Sequence, residues 1–472
     1  MSTSTGDASV RSYVRGHRDE LLSSLDEWLR IPSISGLPEH AADVARSAEW
    51  LAAALRDHGF PTVEIWPTGD GAGLPSVFAE WPSEDTGAPT VLVYGHHDVQ
   101  PVDPLDLWTT PPFEPTLDGD VLRGRGSSDD KGQVVFHLLG LRAHLAAGDR
   151  AAPAVNLKVI VEGEEESGST NFPALLTAQR ERLRCDVVVV SDTTMYDRTI
   201  PSTVIGMRGL QCCTVHVQGP GRDLHSGSFG GSVPNPATAL AELIAALHDD
   251  DRRVTVPGFY DDVVELTEQE RELFARLPFD EATWLAIGAS RATAGERGYT
   301  TLERVWARPT ADVNGFSGGY TGVGHKTIIP TSAYAKLSFR LVADQDPEQL
   351  MKAFEVWVDG QLSPGLEGRV AWEGGGVRAC LTPIDHPAVE AVRRVMSRAY
   401  DGANVLVTRE GGSGPEADLA TILDTPVVFL GVAVNEDRFH APDESVEVDR
   451  LLRGAEAAAY LWEDMAQSLR AS

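Results

Sequence analysis

Cysteine is scarce in this chain: Cys185, Cys212, Cys213 and Cys380 are the only four among 472 residues. Their spacing is not that of a thiolate metal site, and adjacent Cys212 and Cys213 would point to opposite faces of a strand. Buried reduced thiols are expected, which suits a cytoplasmic location. Long apolar runs are also missing. None approaches the roughly 20 residues that span a bilayer, and Met1 to Gly16 contain no secretory-type apolar stretch. Basic charge is short as well: 40 Lys and Arg stand against 70 Asp and Glu, a net charge of −30. That balance argues against nucleic-acid or anionic-membrane partners. No internal repeat or low-complexity segment occurs.

What is present is a hydrophobic fraction of 42%, enough for real cores, in a chain long enough for two to three domains. Helical periodicity runs over Tyr13–Leu29 and Ala41–Leu55. Strand-like runs follow at Thr62–Trp66, Ser76–Trp81, Thr90–Tyr94, Leu157–Val161 and Val187–Val190, with a helix over Gln133–Ala147. Continuously apolar strands alternating with helices predict a largely parallel α/β sheet covered on both faces. Near Gly209 the pattern changes. Leu210–Val217 and Ala333–Val342 alternate as half-buried strands do, and Pro236–His248 and Pro347–Val358 read as amphipathic helices. After Pro387 the α/β pattern returns, with helices over Pro387–Tyr400 and Val448–Leu469 around a strand at Pro426–Leu430. The reading is an α/β domain, 1–208 and 384–472, interrupted by an inserted α+β domain, 209–383.

Chemistry gathers where buried strands end. Val91-Leu-Val-Tyr-Gly-His-His-Asp-Val99 places His96 and Asp98 on one side of an extended segment and His97 on the other. Asp98 could orient the His96 ring. Arg123-Gly-Arg-Gly-Ser-Ser-Asp-Asp-Lys-Gly132 is a Gly-rich loop opening a helix; one of Asp129 and Asp130 is expected to cap it and the other to face the strand ends. The run Asn156 to Val161 leads into Glu164, Glu165 and Glu166, three carboxylates that repel one another and resist burial. Val187-Val-Val-Val-Ser-Asp192 ends in another carboxylate, and Glu436-Asp-Arg-Phe-His-Ala-Pro-Asp-Glu444 places His440 in a late loop. Taken singly, each is an ordinary loop or cap residue. Together, two histidines and several carboxylates along one sheet edge suit a two-metal site of Zn²⁺, or of Mn²⁺ or Co²⁺.

These stretches resemble the M20 metallopeptidases, close to the carnosinase-like dipeptidase branch. The resemblance rests on Tyr94-Gly-His-His-Asp-Val-Gln-Pro101, Gly124-Arg-Gly-Ser-Ser-Asp-Asp-Lys-Gly132, Glu162-Gly-Glu-Glu-Glu-Ser-Gly168, Val190-Ser-Asp192 and Arg222-Asp-Leu-His-Ser-Gly227. It continues through Gly324-His-Lys-Thr-Ile-Ile-Pro330, Ser338-Phe-Arg-Leu-Val342 and Thr408-Arg-Glu-Gly-Gly-Ser413. It implies a zinc-peptidase-like α/β catalytic domain and an inserted lid that also forms a homodimer. It further implies two divalent ions per subunit, with His96 on one and His440 on the other. Asp129 would bridge them, and Glu166 and Asp192 would each complete one shell. Glu165 would be the general base on a metal-bridging water, and Asp98 would support His96. A cis peptide is implied between Asp129 and Asp130. His225 would reach the partner subunit's site, while Thr327, Arg340 and Ser413 would contact substrate, Ser413 from the catalytic domain.

The substrate so implied is a dipeptide or very short peptide with a free C-terminal carboxylate, which a guanidinium such as that of Arg340 grips with two parallel bonds. Alternatives are an N-acyl-amino-acid amidohydrolase or carboxypeptidase, and a metal-holding homologue without catalysis. A two-metal phosphoesterase lacks a basic phosphate cradle. Glu164 has no matched role and is expected in solvent. Strict alternation, however, would put Glu164 and Glu166 on one side unless the chain turns at Gly163 or beyond.

Overall fold

The computed structural model describes residues 5–470. The chain forms two compact units. One comprises Met1–Ile205, Leu381–Thr408 and Gly414–Ser472; the other comprises Gly206–Cys380 and Arg409–Ser413.

The first unit is built on a six-stranded sheet, in the order Thr62–Trp66, Ser76–Trp81, Asn156–Glu162, Thr90–His96, Val187–Val190, Val427–Phe429. The last four strands are parallel, and Ser76–Trp81 runs antiparallel to both of its neighbours. Val187 to Val190 are all fully buried, as a strand covered on both faces requires. Helix Lys131–Gly148 is apolar nearly all round because it lies inside the unit, with Val135, Phe136, Leu139 and Leu141 buried. It packs against helix Val448–Ser468. Gly140 permits this approach, because a Cβ there would sit 2.7 Å from the Ala455 carbonyl oxygen and 2.8 Å from the Ala458 methyl. The periodicity over Tyr13–Leu29 resolves into two helices, Thr5–Gly16 and Arg18–Leu29.

The second unit holds a four-stranded antiparallel sheet in the order Thr310–Gly318, Ser332–Leu341, Gly209–Gln218, Glu367–Val377. Ala333, Ala335, Leu337, Phe339 and Leu341 are buried, while the residues between them are exposed or half-buried. The helices Pro236–Ala246 and Pro347–Gln361 cover the buried face, and Leu240, Leu243, Phe354 and Trp357 join its core. Both helices start with a proline in the first turn, preceded by a capping side chain: Asn235 accepts from Ala237 N–H at 3.0 Å and Asp346 from Glu348 N–H at 2.8 Å.

Two differences from the sequence reading stand out. Arg409–Ser413 groups with the second unit, because Arg409 pairs with Glu270 and Ser413 Oγ donates to the Arg208 carbonyl at 2.6 Å. Ser413 is therefore not in the α/β unit. The four cysteines are free, but only Cys213 and Cys380 are buried; Cys185 and Cys212 are half-buried.

His144 lies buried between the helix and its neighbours, with Nδ1 3.1 Å from the Ala459 carbonyl oxygen and Nε2 accepting from Ala154 N–H at 3.3 Å. Burial pushes its pKa down to about 4. Below pH 6.5 the unfolded chain takes up a proton that the folded chain refuses, so stability is lost as pH falls from 6.5 toward 4. The loss attributable to His144 is about 1–3 kcal/mol. Urea midpoints at pH 7 and pH 4.5 should show a smaller drop for His144→Asn, which cannot titrate, than for the wild type.

Candidate metal centre and active site

The parallel strands of the first unit end at one edge, where α/β sheets carry their chemistry. His96 is the last residue of strand Thr90–His96. Asp129 and Asp130 precede helix Lys131–Gly148. Glu165 and Glu166 lie in a 3₁₀ turn, Glu165–Ser167, after strand Asn156–Glu162. Asp192 follows strand Val187–Val190, and His440 lies in the loop beyond Val427–Phe429.

These side chains converge. His96 Nε2 is 2.9 Å from Asp129 Oδ1 and 3.6 Å from Asp192 Oδ2. His440 Nε2 is 2.9 Å from Asp129 Oδ2 and 3.1 Å from Glu166 Oε2. The two oxygens of Asp129 thus face different imidazoles. Potential ligand atoms of His96, Asp129 and Glu166 lie within 4.8 Å of one another, and so do those of His96, Glu165 and Asp192. The peptide bond between Asp129 and Asp130 is cis.

Supporting residues fix this arrangement. His96 Nδ1 lies 3.2 Å from the Asp98 carbonyl oxygen and 3.3 Å from its carboxylate, which aims Nε2 at the cluster. Asp98 Oδ2 also accepts from Glu166 N–H at 3.0 Å, and Gln100 Nε2 donates to Glu166 Oε2 at 2.7 Å. Buried Glu444 accepts from the N–H groups of Gly126, Ser128 and Asp129, each at 3.1 Å, and from Arg125 at 2.7 Å. It lies four residues beyond His440 and so joins the two loops that present Asp129 and His440. His97 points away, with Nε2 2.9 Å from the Pro75 carbonyl oxygen.

Two expectations need correction, and one left open is decided. Glu164 is buried, not solvated: it accepts from Leu74 N–H at 2.7 Å, from Asn171 N–H at 3.2 Å and from Asn171 Nδ2 at 2.9 Å. The strand ends at Glu162 and turns, so alternation no longer ties Glu164 to Glu166. Neither aspartate caps the helix through its side chain. Asp130 holds the N-cap position but accepts from His96 N–H at 3.1 Å instead. The supporting roles of Glu444 and Asp130 are not visible in the sequence. The only sequence signal for Glu444 was a carboxylate close behind His440.

The electrostatics show what the cluster lacks. Burial, reinforced by Asp129 and Glu166, lifts Asp192 up to about 7. Burial also drives Glu165 well above the carboxylate range, with Asp192, Glu166 and Asp129 adding to the effect against His96. Hydrogen bonds to Asp129 and Glu166 raise His440 to about 10. Asp129 is held low although burial opposes it, because both imidazoles bond to it. Two histidines are too few cations for Asp98, Asp129, Glu165, Glu166 and Asp192. The mixed nitrogen and oxygen donor set and the missing positive charge both fit divalent metal ions.

The remaining candidates lie in the second unit. His225 and Thr327 are exposed, and His225 Nδ1 accepts from Gly227 N–H at 3.0 Å. Arg340 Nη1 donates to Ser413 Oγ at 2.9 Å. Among the described residues no carboxylate lies within 4.0 Å of the Arg340 guanidinium. Lys326 pairs at the surface with Asp223, 3.1 Å away.

An α/β unit with this donor set at its strand ends is that of a metal-dependent hydrolase. Residues 92–464 match the model of peptidase family M20/M25/M40. The chain is 30% identical to the Cys-Gly metallodipeptidase DUG1 of Candida albicans over 452 residues, 93% of each chain. It is 29% identical to human Beta-Ala-His dipeptidase, covering 97% of this chain and 92% of that one. Among solved structures, an M20 family metallo-carboxypeptidase from Sulfolobus solfataricus superposes with a TM-score of 0.79 at 31% identity, covering 95% of this chain and 100% of that one. The chain belongs to peptidase family M20/M25/M40 and is a metallopeptidase.

Removing the Glu444 carboxylate should loosen both loops at once. Glu444→Ala leaves Arg125 buried without its partner, at a cost of about 3–5 kcal/mol. Lower thermal stability together with reduced metal content by elemental analysis is the expected result.

Proposed function

We propose that the protein is a two-metal dipeptidase acting on dipeptides or very short peptides with a free C-terminal carboxylate. The observation that carries this reading is the Asp129 carboxylate with one oxygen on His96 and the other on His440, which suits a bridging ligand. In this reading His96 and Asp192 would hold one ion, His440 and Glu166 would hold the other, and Asp129 would serve both. Zn²⁺ suits the donors, as do Mn²⁺ and Co²⁺. Bound ions supply an acidified water and stabilise the oxyanion.

The protein's own groups do the rest. Glu165 takes the proton of the attacking water and passes it to the leaving amine as the peptide C–N bond breaks. Asp98 orients His96. Arg340 holds the substrate carboxylate, and Thr327 and Ser413 contact the substrate. The lack of a carboxylate beside Arg340 supports that role, since its guanidinium is left without an acidic partner. The second unit serves as lid and dimerisation domain, and His225 reaches the partner subunit's site to bind the oxyanion. The DUG1 and Beta-Ala-His dipeptidase relatives favour dipeptides over N-acyl amino acids. A cytoplasmic setting accords with four free thiols.

The test is hydrolysis of a dipeptide panel beside N-acyl amino acids and longer peptides, by apoenzyme reloaded with Zn²⁺, Mn²⁺ or Co²⁺. Preferred cleavage of dipeptides is expected; preferred release of C-terminal residues from longer peptides would make it a carboxypeptidase. Glu165→Gln should keep its metal and lose about 100- to 10,000-fold in kcat; near-normal turnover would reassign the base. His225→Ala should lower kcat with metal content unchanged, and metal loss would instead mark it as a ligand.

A further inference from the structure

The second unit contains a cavity of about 450 Å³ lined by Arg208, Arg252, Arg304 and Arg308, with His248, Glu296 and Asp312. That volume is in the range of small-molecule sites. A cationic lining is unexpected in a chain of net charge −30. Elsewhere this chain pairs its buried arginines with acids: Arg125 with Glu444, Arg450 with Asp437 and Arg409 with Glu270. In the cavity the one buried arginine, Arg308, is treated likewise, bonded to Glu296 at 2.7 and 2.9 Å and to Glu265 at 2.9 Å, whereas Arg208 and Arg304 are half-buried and Arg252 is exposed.

The other three arginines form no ion pair within 4.0 Å, although the lining carboxylate of Asp312 favours the charged form of Arg208 through space. Arg304 donates only to backbone carbonyls, Glu296 at 2.9 Å and Ala294 at 3.3 Å. Arg208 Nε donates to the Gly411 carbonyl at 3.2 Å. Arg252 is exposed at the end of a turn. Among the described residues no carboxylate lies within 4.0 Å of any of these guanidinium groups. Gly295, at φ +122°, brings the backbone against Arg304: a Cβ there would lie 2.9 Å from Arg304 Cδ. Val254, Val305 and Pro309 add apolar wall. Unneutralised guanidinium groups around a concave space with apolar sides bind carboxylate and phosphate oxygens.

We propose that this cavity is a binding site for a small anionic molecule of the carboxylate or phosphate class, held by Arg208, Arg252 and Arg304. The site stands independently of the dipeptidase reading. Its ligand is either a free anion or an acidic side chain of a bound peptide, and the two sources share one chemistry.

The experiment is isothermal titration of the metal-loaded protein with inorganic phosphate and, separately, succinate, in low-chloride buffer. Saturable binding is expected. Arg304→Gln combined with Arg252→Gln should weaken it at least about tenfold, as the loss of charge-assisted bonds does. Arg304 also braces its loop, so Arg252→Glu provides a second variant: Arg252 makes no ion pair, and reversing its charge should weaken binding without disturbing the fold. Arg378→Gln, which removes a surface pair with Asp346 in the same unit, should leave binding unchanged. Absence of saturable binding would overturn the proposal. So would equal binding in the Arg252 and Arg304 variants, which would place the anion at the metal centre. Where binding is lost in Arg252→Glu, kcat/KM for dipeptides ending in Asp or Asn identifies the source. Selective loss for Asp marks a substrate side chain, and no change for either marks a free anion.

Discussion

The buried carboxylate of Glu444 is the fixed point of the metal centre. Three backbone N–H groups of the loop before helix Lys131–Gly148 converge on it, and Arg125 supplies the counter-charge. The same residue ends the loop carrying His440. Nearby, Asp437 takes Ser128 Oγ at 2.8 Å and pairs with Arg450, so a second buried ion pair ties the same two loops. A carboxylate that satisfies several donors at once is rigid in a way that a single bond is not. Asp129 can therefore hold one oxygen toward each imidazole without a side-chain bond to any permanent cation.

With that frame fixed, the crowding of Asp98, Asp129, Glu165, Glu166 and Asp192 becomes intelligible. Carboxylates forced together in a partly buried place must take up protons or find cations. Burial and neighbouring carboxylates push the proton affinity of Asp192 and Glu165 upward, in the direction of the first outcome. Divalent ions provide the second, and they would separate the neighbouring glutamates by task, since an ion lowers the proton affinity of the carboxylate it touches and leaves its neighbour the more basic. The 3₁₀ turn at Glu165–Ser167 makes that separation geometrically possible.

Much of this was legible in the sequence, for definite reasons. Valine-rich runs fixed the parallel strands, and two-residue alternation placed His96 and Asp98 apart from His97 as well as Arg340 apart from Phe339. Alternation stops applying at Gly163, where the strand gives way to a turn, the case that the sequence leaves open. Glu164 looks like a surface residue in the sequence because nothing in its neighbourhood marks a partner. Its partners, Leu74 and Asn171, come from segments that no periodicity connects to it. Glu444 and Asp130 were hidden for the same reason: a carboxylate that binds backbone N–H groups leaves no pattern of complementary side chains. Ser413 was placed in the α/β domain because five residues are too few to show their own texture, and only the contacts with Arg208 and Arg340 reveal where they belong.

The two units are charged in opposite senses at their functional cavities. The first concentrates acids and wants cations; the second leaves Arg208, Arg252, Arg304 and Arg340 without acidic partners. Chance would not readily leave arginines unpaired in a chain with 70 acids, since almost any nearby Asp or Glu side chain would gain by reaching one. Around the cavity the two lining acids do not pair with them: Glu296 is taken by Arg308, Asp312 lies beyond 4.0 Å, and glycine, valine, proline and backbone carbonyls make up the other neighbours. Desolvating a guanidinium without a counter-ion is unfavourable, and burial together with Arg340 already lowers Arg208 to about 10. Unmet charge of both signs argues for ligands of both signs: divalent ions would relieve the carboxylates at the strand ends of the first unit, and an anionic group would relieve the arginines of the proposed site in the second.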